Sequence, residues 1–228
     1  MRTFLLAIAL TSCATAQTDR RAPDLFKARI ETSKGIIVLE VHRAWSPLGV
    51  DRFYTLATSG YFNDTRFFRA IKGRWAQFGI NGDPAVSAKW RARNIPDEPR
   101  RVSNTRGTVA FAFALANGRT TQVFINLADN ANLDATGFSP FGFVSEGMDV
   151  VDKLNQEYGQ SPDQSAIQMS GGAYLTKNFP RLDKVVTAVI TEPVTAPAKP
   201  AVAPAKPAPA KPAPAKPAAA KPLAPAAK

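Results

Sequence analysis

Arg69 is the residue whose surroundings first suggest chemistry. It follows Phe68 in a run of Phe, Ile and Trp residues, and Gln77 comes eight residues later, beside Phe78. A run of this composition predicts strands of a sheet with one buried face. Because an ionised guanidinium is costly in such a sheet without a partner, Arg69 is either a pocket residue that touches a ligand or a surface charge on the solvent face of a strand.

Few residues are available for other kinds of catalysis. Cys13 is the only cysteine and His42 the only histidine among the 228 residues. A disulfide framework, a cysteine-based metal site and a Cys–His nucleophile are therefore not expected. His42 ends an apolar run, and the chain has no nucleophile-elbow motif, so we interpret His42 as an exposed strand-end residue. We predict neither a metal nor a cofactor.

The net charge of +11 is concentrated in one part of the chain. The six lysines of residues 196–228 and Arg2 account for seven of the 29 basic residues, so the remaining 22 exceed the 18 acidic residues by only four. The body of the chain is thus mildly basic, and its pI is no argument for nucleic-acid binding. We predict no nucleic-acid partner.

Residues 1–17, MRTFLLAIALTSCATAQ, have the features of a secretory signal peptide. One positive residue precedes an apolar run, Phe4–Leu10, that is too short to span a bilayer. Two processing routes are open: cleavage after Ala16 at a small-x-small site, or lipidation of Cys13 within LTSC, which resembles a bacterial lipobox. Either route predicts export to the periplasm or cell envelope, and lipidation would add a membrane anchor.

The helices and strands that must position Arg69 are predicted from the spacing of apolar residues and from the turn residues between them. Residues 18–24 predict a flexible linker, and Ser46-Pro47 begins a helix that Gly60 ends. A second helix is predicted over Glu146–Gln156, whereas residues 81–106 form a polar, arginine-rich loop that is either an anion-binding patch or a solvated surface. Strands are predicted at Phe26–Ile30, Gly35–Val41, one or two within Arg66–Pro84, Gly107–Leu115, Gln122–Leu127, Phe138–Val144 and Val185–Ile190. These short strands predict a mainly β domain in which barrel closure removes the exposed edges.

Three blocks of the chain, taken together, resemble the cyclophilin family of peptidyl-prolyl isomerases. They are FFRAIKGRWAQFG, GTVAFAFALANGRTTQVFINLADNANLD and FSPFGFVSEGMDVVDKL, and they occur in the family's order over about residues 26–191. The segment GGAYLTKNFPRLDKV is similar to the bacterial branch, and the leader suggests an exported member. The resemblance implies that residues 25–192 form a closed eight-stranded antiparallel barrel capped by two α-helices, with an active groove on its outer face.

The same resemblance implies roles for individual residues. Arg69 matches the catalytic arginine, and Gln77 matches the glutamine that binds the substrate backbone and orients the arginine. The residues implied to bind substrate are Phe68, Trp75, Ala112, Phe113, Phe124, Leu133 and Phe138. The chain departs from the common family pattern at some of these positions and at a few neighbours, namely Phe68, Arg74, Trp75, Asn132 and Phe138. These departures are expected to affect the substrate preference more than the reaction itself.

The expected activity is cis–trans isomerisation of X–Pro bonds in exported proteins, so the expected partners are proline-containing polypeptides. The alternative is a catalytically weak module that binds proline-containing segments while tethered to the cell envelope. An isomerase of this type needs no nucleophile, acid–base pair or metal, which fits the composition.

The last part of the chain, residues 193–228, consists almost entirely of Ala, Pro, Lys and Val and is predicted to be disordered. It is either a solvated spacer or a basic tether to anionic cell-envelope polymers or lipid head groups. Any membrane attachment of the chain is expected only through a lipid at Cys13.

Overall fold

The computed structural model describes residues 19–191. The predictions for the leader, for Cys13 and for the tail lie outside these residues. Within them, none of the helices combines the length and apolarity that crossing a bilayer requires. The same range contains no cluster of three or more His, Cys, Asp or Glu side chains that could hold a metal ion.

Eight strands and four α-helices make up the described chain. The strands are β1 Leu25–Thr32, β2 Gly35–His42, β3 Arg69–Ile71, β4 Trp75–Phe78, β5 Thr108–Phe111, β6 Val123–Asn126, β7 Pro140–Glu146 and β8 Val185–Thr191. The helices are α1 Pro47–Thr58, α2 Pro84–Arg91, α3 Met148–Asp152 and α4 Gln164–Asn178, and a short 3-10 helix covers Ala131–Leu133.

All eight strands belong to one antiparallel sheet, in the order β3-β4-β6-β5-β7-β2-β1-β8. Register shifts in the β1–β8, β2–β7 and β5–β7 pairs mark bulges, which increase local twist and curl the sheet. The two edges approach each other at a single antiparallel bridge between Arg66 and Lys184. The prediction of a mainly β, eight-stranded antiparallel fold is confirmed, whereas full closure by paired edge strands is not seen in the described residues.

The core lies inside this curled sheet and beneath α1. Alternate residues of β1 and β2 are buried, as the predicted hairpin requires, and α1 covers them with Val50, Phe53 and Leu56, all fully buried. Pro47 occupies the first turn of α1, but Ser46 makes no capping bond there. The carboxylate of Glu98 instead accepts the backbone N–H groups of the first turn, so a distant loop caps the helix.

The first predicted helix is confirmed by α1, but the described residues form four α-helices instead of two. The polar stretch after Asp83 forms α2, because Asp83 caps it and Pro84 begins it. The predicted second helix is reduced to the short α3, since β7 continues to Glu146 and Gly147 turns the chain with φ 84°. The fourth helix, α4, was not predicted, because its two central glycines are poor helix formers.

Residues 19–24 are not a free linker. The backbone N–H groups of Arg20 and Ala22 donate to side chains of α1, at 2.7 Å and 2.9 Å respectively. Asp19 pairs with Arg52, whose side chain is almost entirely buried. Because these contacts tie the segment to α1, it extends the folded domain instead of leading away from it.

Candidate active-site groove

Strand register brings the predicted catalytic residues together on the outer face of the sheet. Arg69 of β3 lies directly opposite Gln77 of β4, and Gln77 lies directly opposite Phe124 of β6. Residues opposite one another in an antiparallel pair project from the same face. Arg69, Gln77 and Phe124 therefore form one row across three neighbouring strands.

This row is part of the wall of a groove with a volume of about 450 Å³. Its walls come from β3, β4 and β6, from the loops that flank β6, and from the ends of α2 and α4. The groove residues are Arg69, Trp75, Gln77, Arg91, Asn94, Ala112, Phe113, Ala114, Gly118, Thr120, Gln122, Phe124, Leu133, Phe138, Gln164, Ser165 and Gln168. All of the residues implied by the resemblance lie here except Phe68.

The placement of Phe68 corrects its prediction as a substrate-binding residue. It directly precedes Arg69 on an extended chain, so the two side chains point to opposite sides. Phe68 is 1% exposed and packs with Ile80, Ile167 and Leu175 beneath α4. Its ring therefore supports the helix that borders the groove and does not face the groove itself.

Aromatic rings form an apolar pocket at one end of the groove. Phe124 is 4% exposed and lies at the floor, with Trp75 and Phe138 at centroid distances of 6.2 Å and 5.5 Å. Phe113 stacks on Phe138 at 4.4 Å, and Leu133 completes the cluster. Trp75 thus supplies apolar surface to the pocket at a position where the chain departs from the family pattern.

Arg69 lies between this pocket and two amide side chains. Its guanidinium donates to Oε1 of Gln160 at 3.1 Å and to Oε1 of Gln77 at 3.5 Å, and it lies 5.1 Å from the Trp75 ring centroid. Burial lowers the pKa of Arg69, and the nearby charge of Arg74 lowers it further. The guanidinium stays protonated at neutral pH all the same, because an arginine pKa starts so high.

Gln122 was not predicted as a site residue, yet it fixes the amide of Gln77. Gln77 is 4% exposed, and its Nε2 donates to Oε1 of Gln122 at 2.7 Å. Since Arg69 can only donate, the oxygen of Gln77 must face Arg69 and its nitrogen must face Gln122. Strand alternation could have identified Gln122, because it lies two residues before Phe124 and projects from the same face.

Other residues that sequence reasoning missed come from α2, α4 and the loop before α4. Gln160 reaches Arg69 across 91 positions of sequence. Gln164, Ser165 and Gln168 line the groove from α4, and Arg91 lines it from the end of α2. Arg91 lies in the arginine-rich stretch for which the sequence leaves an anion-binding patch or a solvated surface open, whereas no local signal identifies Gln160, Gln164, Ser165 or Gln168, because their positions depend on the packing of the unpredicted α4.

Asp134 holds the loop that carries Leu133 and leads to Phe138. Its carboxylate accepts hydrogen bonds from Ser103 Oγ at 2.6 Å and from the backbone and side-chain N–H groups of Asn104 at 2.9 Å and 2.8 Å. Burial alone would raise the pKa of Asp134, but these bonds and the charge of Arg100 outweigh it and hold the pKa below its usual value. The apolar wall of the groove therefore depends on a charged anchor.

Substitution Asp134→Ala is expected to lower the free energy of unfolding by about 2 kcal/mol at pH 7, because it removes several hydrogen bonds to a charged group. The folded carboxyl has the lower pKa, so its contribution is complete above the unfolded pKa of about 4 and is lost as pH falls below it. Urea unfolding at pH 7 and at about pH 3 should show the difference between the two proteins shrinking in acid.

Asp149→Ala provides the matched control, because Asp149 pairs with Lys153 on the surface and its side chain is 72% exposed. This variant should unfold almost as the wild type does at pH 7. Equal stability of the Asp134→Ala protein and the wild type at pH 7 would contradict the anchoring role.

The chemistry that the groove allows is limited by what lines it. Among residues 19–191, no Asp, Glu, His, Lys, Cys or Tyr side chain lines the groove, so these residues offer no ordinary general base there. It offers a hydrogen-bond donor, Arg69, held by Gln77 and Gln160 beside an apolar pocket lined by Trp75, Phe124 and Phe138. Such a site can bind an apolar group and stabilise a hydrogen-bond acceptor that forms next to that group.

Comparison with known proteins agrees with this geometry. Residues 27–170 match the family model described as cyclophilin type peptidyl-prolyl cis-trans isomerase. The chain is similar to peptidyl-prolyl cis-trans isomerase A of Dickeya dadantii, with 36% identity over 135 residues that make up 56% of this chain and 70% of that protein. It is also 35% identical to peptidyl-prolyl cis-trans isomerase B of Escherichia coli over 132 residues, or 54% of this chain and 80% of that one.

The solved structures support the same fold. A cyclophilin type peptidyl-prolyl cis-trans isomerase from Cryptosporidium parvum superposes with a TM-score of 0.56 and 22% identity, covering 74% of this chain and 98% of that one. The family model alone spans more than half of the chain. The chain therefore belongs to the cyclophilin-type peptidyl-prolyl cis-trans isomerase family.

Proposed function

We propose that the groove isomerises X–Pro bonds in polypeptides, with Arg69 as the catalytic residue and the Phe124 pocket as the proline site. The observation that carries the proposal is the position of Arg69, which is fixed by Gln77 and Gln160 at the border of an apolar pocket. A proline ring fits the chemistry of that pocket, and the preceding amide would then lie beside the guanidinium.

The reaction needs only an environment that favours the twisted amide. The trans form of an X–Pro bond is favoured by about 0.5–1 kcal/mol, whereas rotation has a barrier of roughly 18–20 kcal/mol. During rotation the proline nitrogen loses conjugation, and its lone pair becomes a hydrogen-bond acceptor. Arg69 donates to that lone pair, which exists only in the twisted state, so the interaction lowers the barrier without stabilising either planar form.

The neighbouring amides keep this donor in place. Gln122 accepts a hydrogen bond from the nitrogen of Gln77, which keeps the oxygen of Gln77 facing Arg69. The guanidinium therefore does not have to reorganise when the substrate amide twists. Trp75 lies beneath the guanidinium and beside Phe124, which joins the cation to the apolar pocket. The wall of the pocket and the electrostatic donor are therefore one connected structure.

Substitution Arg69→Ala is expected to lower kcat/KM for a proline-containing peptide by roughly 10²–10³-fold, as is typical when one preorganised donor is removed. Arg69→Lys should recover only part of the activity, because an ammonium lacks the planar fork that Gln77 and Gln160 hold. The rates are measured by NMR exchange or by a protease-coupled assay.

Arg29→Ala is the matched control, since Arg29 lies on β1, pairs with Glu31 at the surface and takes no part in the groove. Its activity should equal that of the wild type. Unchanged turnover by the Arg69→Ala protein would exclude the proposed role of Arg69. Binding of proline peptides by the wild type without turnover would favour the alternative function, a module that only captures proline-containing segments.

The pH dependence of the reaction should be nearly flat from about pH 6 to pH 9, because the groove has no acidic or imidazole group and arginine stays charged in this range. Burial and Arg74 lower the pKa of Arg69, so any loss of activity belongs on the alkaline side. The measurement is kcat/KM for one uncharged peptide across this range. A bell-shaped profile with a limb near neutrality would contradict the mechanism.

We further propose that the protein acts on exported polypeptides, in the periplasm or at the cell envelope. The support is the leader, in which a positive residue precedes the short apolar run Phe4–Leu10. The lysine-rich residues 196–228 carry no acidic side chain and would be attracted to anionic envelope polymers or lipid head groups. Lipidation of Cys13 would hold the domain at a membrane surface.

Expression of the full chain and of its Cys13→Ser variant in a bacterium with a periplasm tests this proposal. With fractions prepared at high salt, which screens the charges of the lysine-rich tail, we expect the wild type in the membrane fraction and the variant in the soluble periplasmic fraction, because a lipidated cysteine is the only anchor proposed that salt does not weaken. A soluble wild type whose chain begins at Gln17 would indicate ordinary cleavage after Ala16. Retention of both proteins in the cytoplasm with the leader intact would contradict export.

A further inference from the structure

A second arginine, Arg91, lines the groove away from the proline pocket. It is the last residue of α2. Arg69 and Arg91 are the two charged side chains among the groove residues, and no carboxylate lines the same groove. Both charged side chains of the lining are therefore positive, and the other polar side chains include neutral amides and hydroxyls.

Arg91 has unused capacity to bind an anion. Its Nη1 donates to Oε1 of Gln168 at 3.2 Å, which occupies one of the five guanidinium donors. Among residues 19–191, no ion pair involves Arg91. Arg93 makes a useful contrast: its guanidinium lies 4.2 Å from the Trp90 ring centroid, and it does not line the groove.

The distance of Arg91 from the proline pocket can be estimated along the strand. Arg91 shares a small recess with Thr120, Gln122 and Gln168. Gln122 lies two residues before Phe124, or about 7 Å at roughly 3.3 Å per residue, and Thr120 lies in the bend beyond it. An extended peptide laid along this wall would have a similar rise, so its residue beside Arg91 would be about two to four positions from a proline in the Phe124 pocket.

The wall that carries Arg91 is fixed in place by α4. The backbone N–H of Gly172 donates to the carbonyl of Gly82 at 2.8 Å, just before α2 begins. Gly171 has φ 60°, and a Cβ there would lie 2.0 Å from the same carbonyl oxygen. Only glycine allows this close approach, so the Arg91–Gln168 contact joins two helices that are already locked together.

We infer that Arg91 is a specificity residue, which selects substrates with a carboxylate side chain two to four residues from the isomerised proline. The inference rests on the proposed function and adds a substrate class to it. The carboxylate would accept hydrogen bonds from the free N–H groups of Arg91, while Gln168 holds the guanidinium in orientation. Partial exposure of the pair limits its strength.

A set of matched peptides tests this inference. Each peptide has one Ala-Pro bond and a single Glu or Gln, placed in turn one to four residues before or after the proline. For the full chain at low salt, we expect kcat/KM to be about three- to five-fold higher with Glu than with Gln, two to four residues away on one side only. The ratio should approach one at on the order of 0.5 M salt, where the charges are screened.

Two variants and one control assign the preference to Arg91. The Glu-to-Gln ratio should fall to about one in Arg91→Gln and below one in Arg91→Glu, where two carboxylates would repel each other, whereas Arg93→Gln should keep the wild-type ratio. Equal ratios for the wild type and Arg91→Gln would overturn the inference. Turnover of all peptides without selectivity would overturn it while leaving the isomerase function intact.

Absence of turnover with every peptide would instead contradict the isomerase function. In that event the affinities of the Glu and Gln peptides, measured by calorimetric titration, decide the inference. A ratio of about one in those affinities would overturn it, and an Arg91-dependent preference for Glu would support it.

Discussion

The active groove depends on the pairing register of three short strands. Arg69 opposite Gln77, and Gln77 opposite Phe124, place a cation, an amide and an apolar ring on one face of the sheet. A slip of one residue would turn each of these side chains to the other face. The register is held from the opposite side, where Ala76, Phe78 and Ile125 are buried in the core. The core thus specifies the site although it does not contact it.

The amide side chains around Arg69 offset the desolvation cost of placing a guanidinium in a sheet. Half-buried between Gln77 and Gln160, Arg69 keeps hydrogen bonds while one face of its guanidinium rests near Trp75. Neutral partners satisfy the donors without neutralising the charge, as a carboxylate would. The guanidinium therefore remains available to an acceptor that appears in the groove, which is the requirement of electrostatic catalysis.

The helices α2 and α4 add a second wall to the groove that a sheet alone would lack. Phe68, Ile167 and Leu175 pack α4 onto the outside of the sheet, and the contact of Gly82 with Gly172 fixes α2 against it. Both Gln160, which reaches Arg69, and Arg91, which faces the far end of the groove, owe their positions to this packing. The packing of α2 and α4 thus contributes to the reacting centre and to the proposed selection of substrates.

The sequence by itself determined the strands, helix α1, and a set of groove residues that includes Arg69, Gln77, Trp75 and Phe124, because alternation, turn residues and family blocks are local signals. It did not reveal α2 and α4, since Asp83-Pro84 stands in a polar stretch and α4 contains glycines that disfavour isolated helix. It also misplaced Phe68, missed Gln160, and left undecided whether the arginine-rich stretch that contains Arg91 binds anions or only faces solvent. Only the tertiary structure decided these, because each depends on a contact between segments far apart in the chain, whose energy has no local sequence signature.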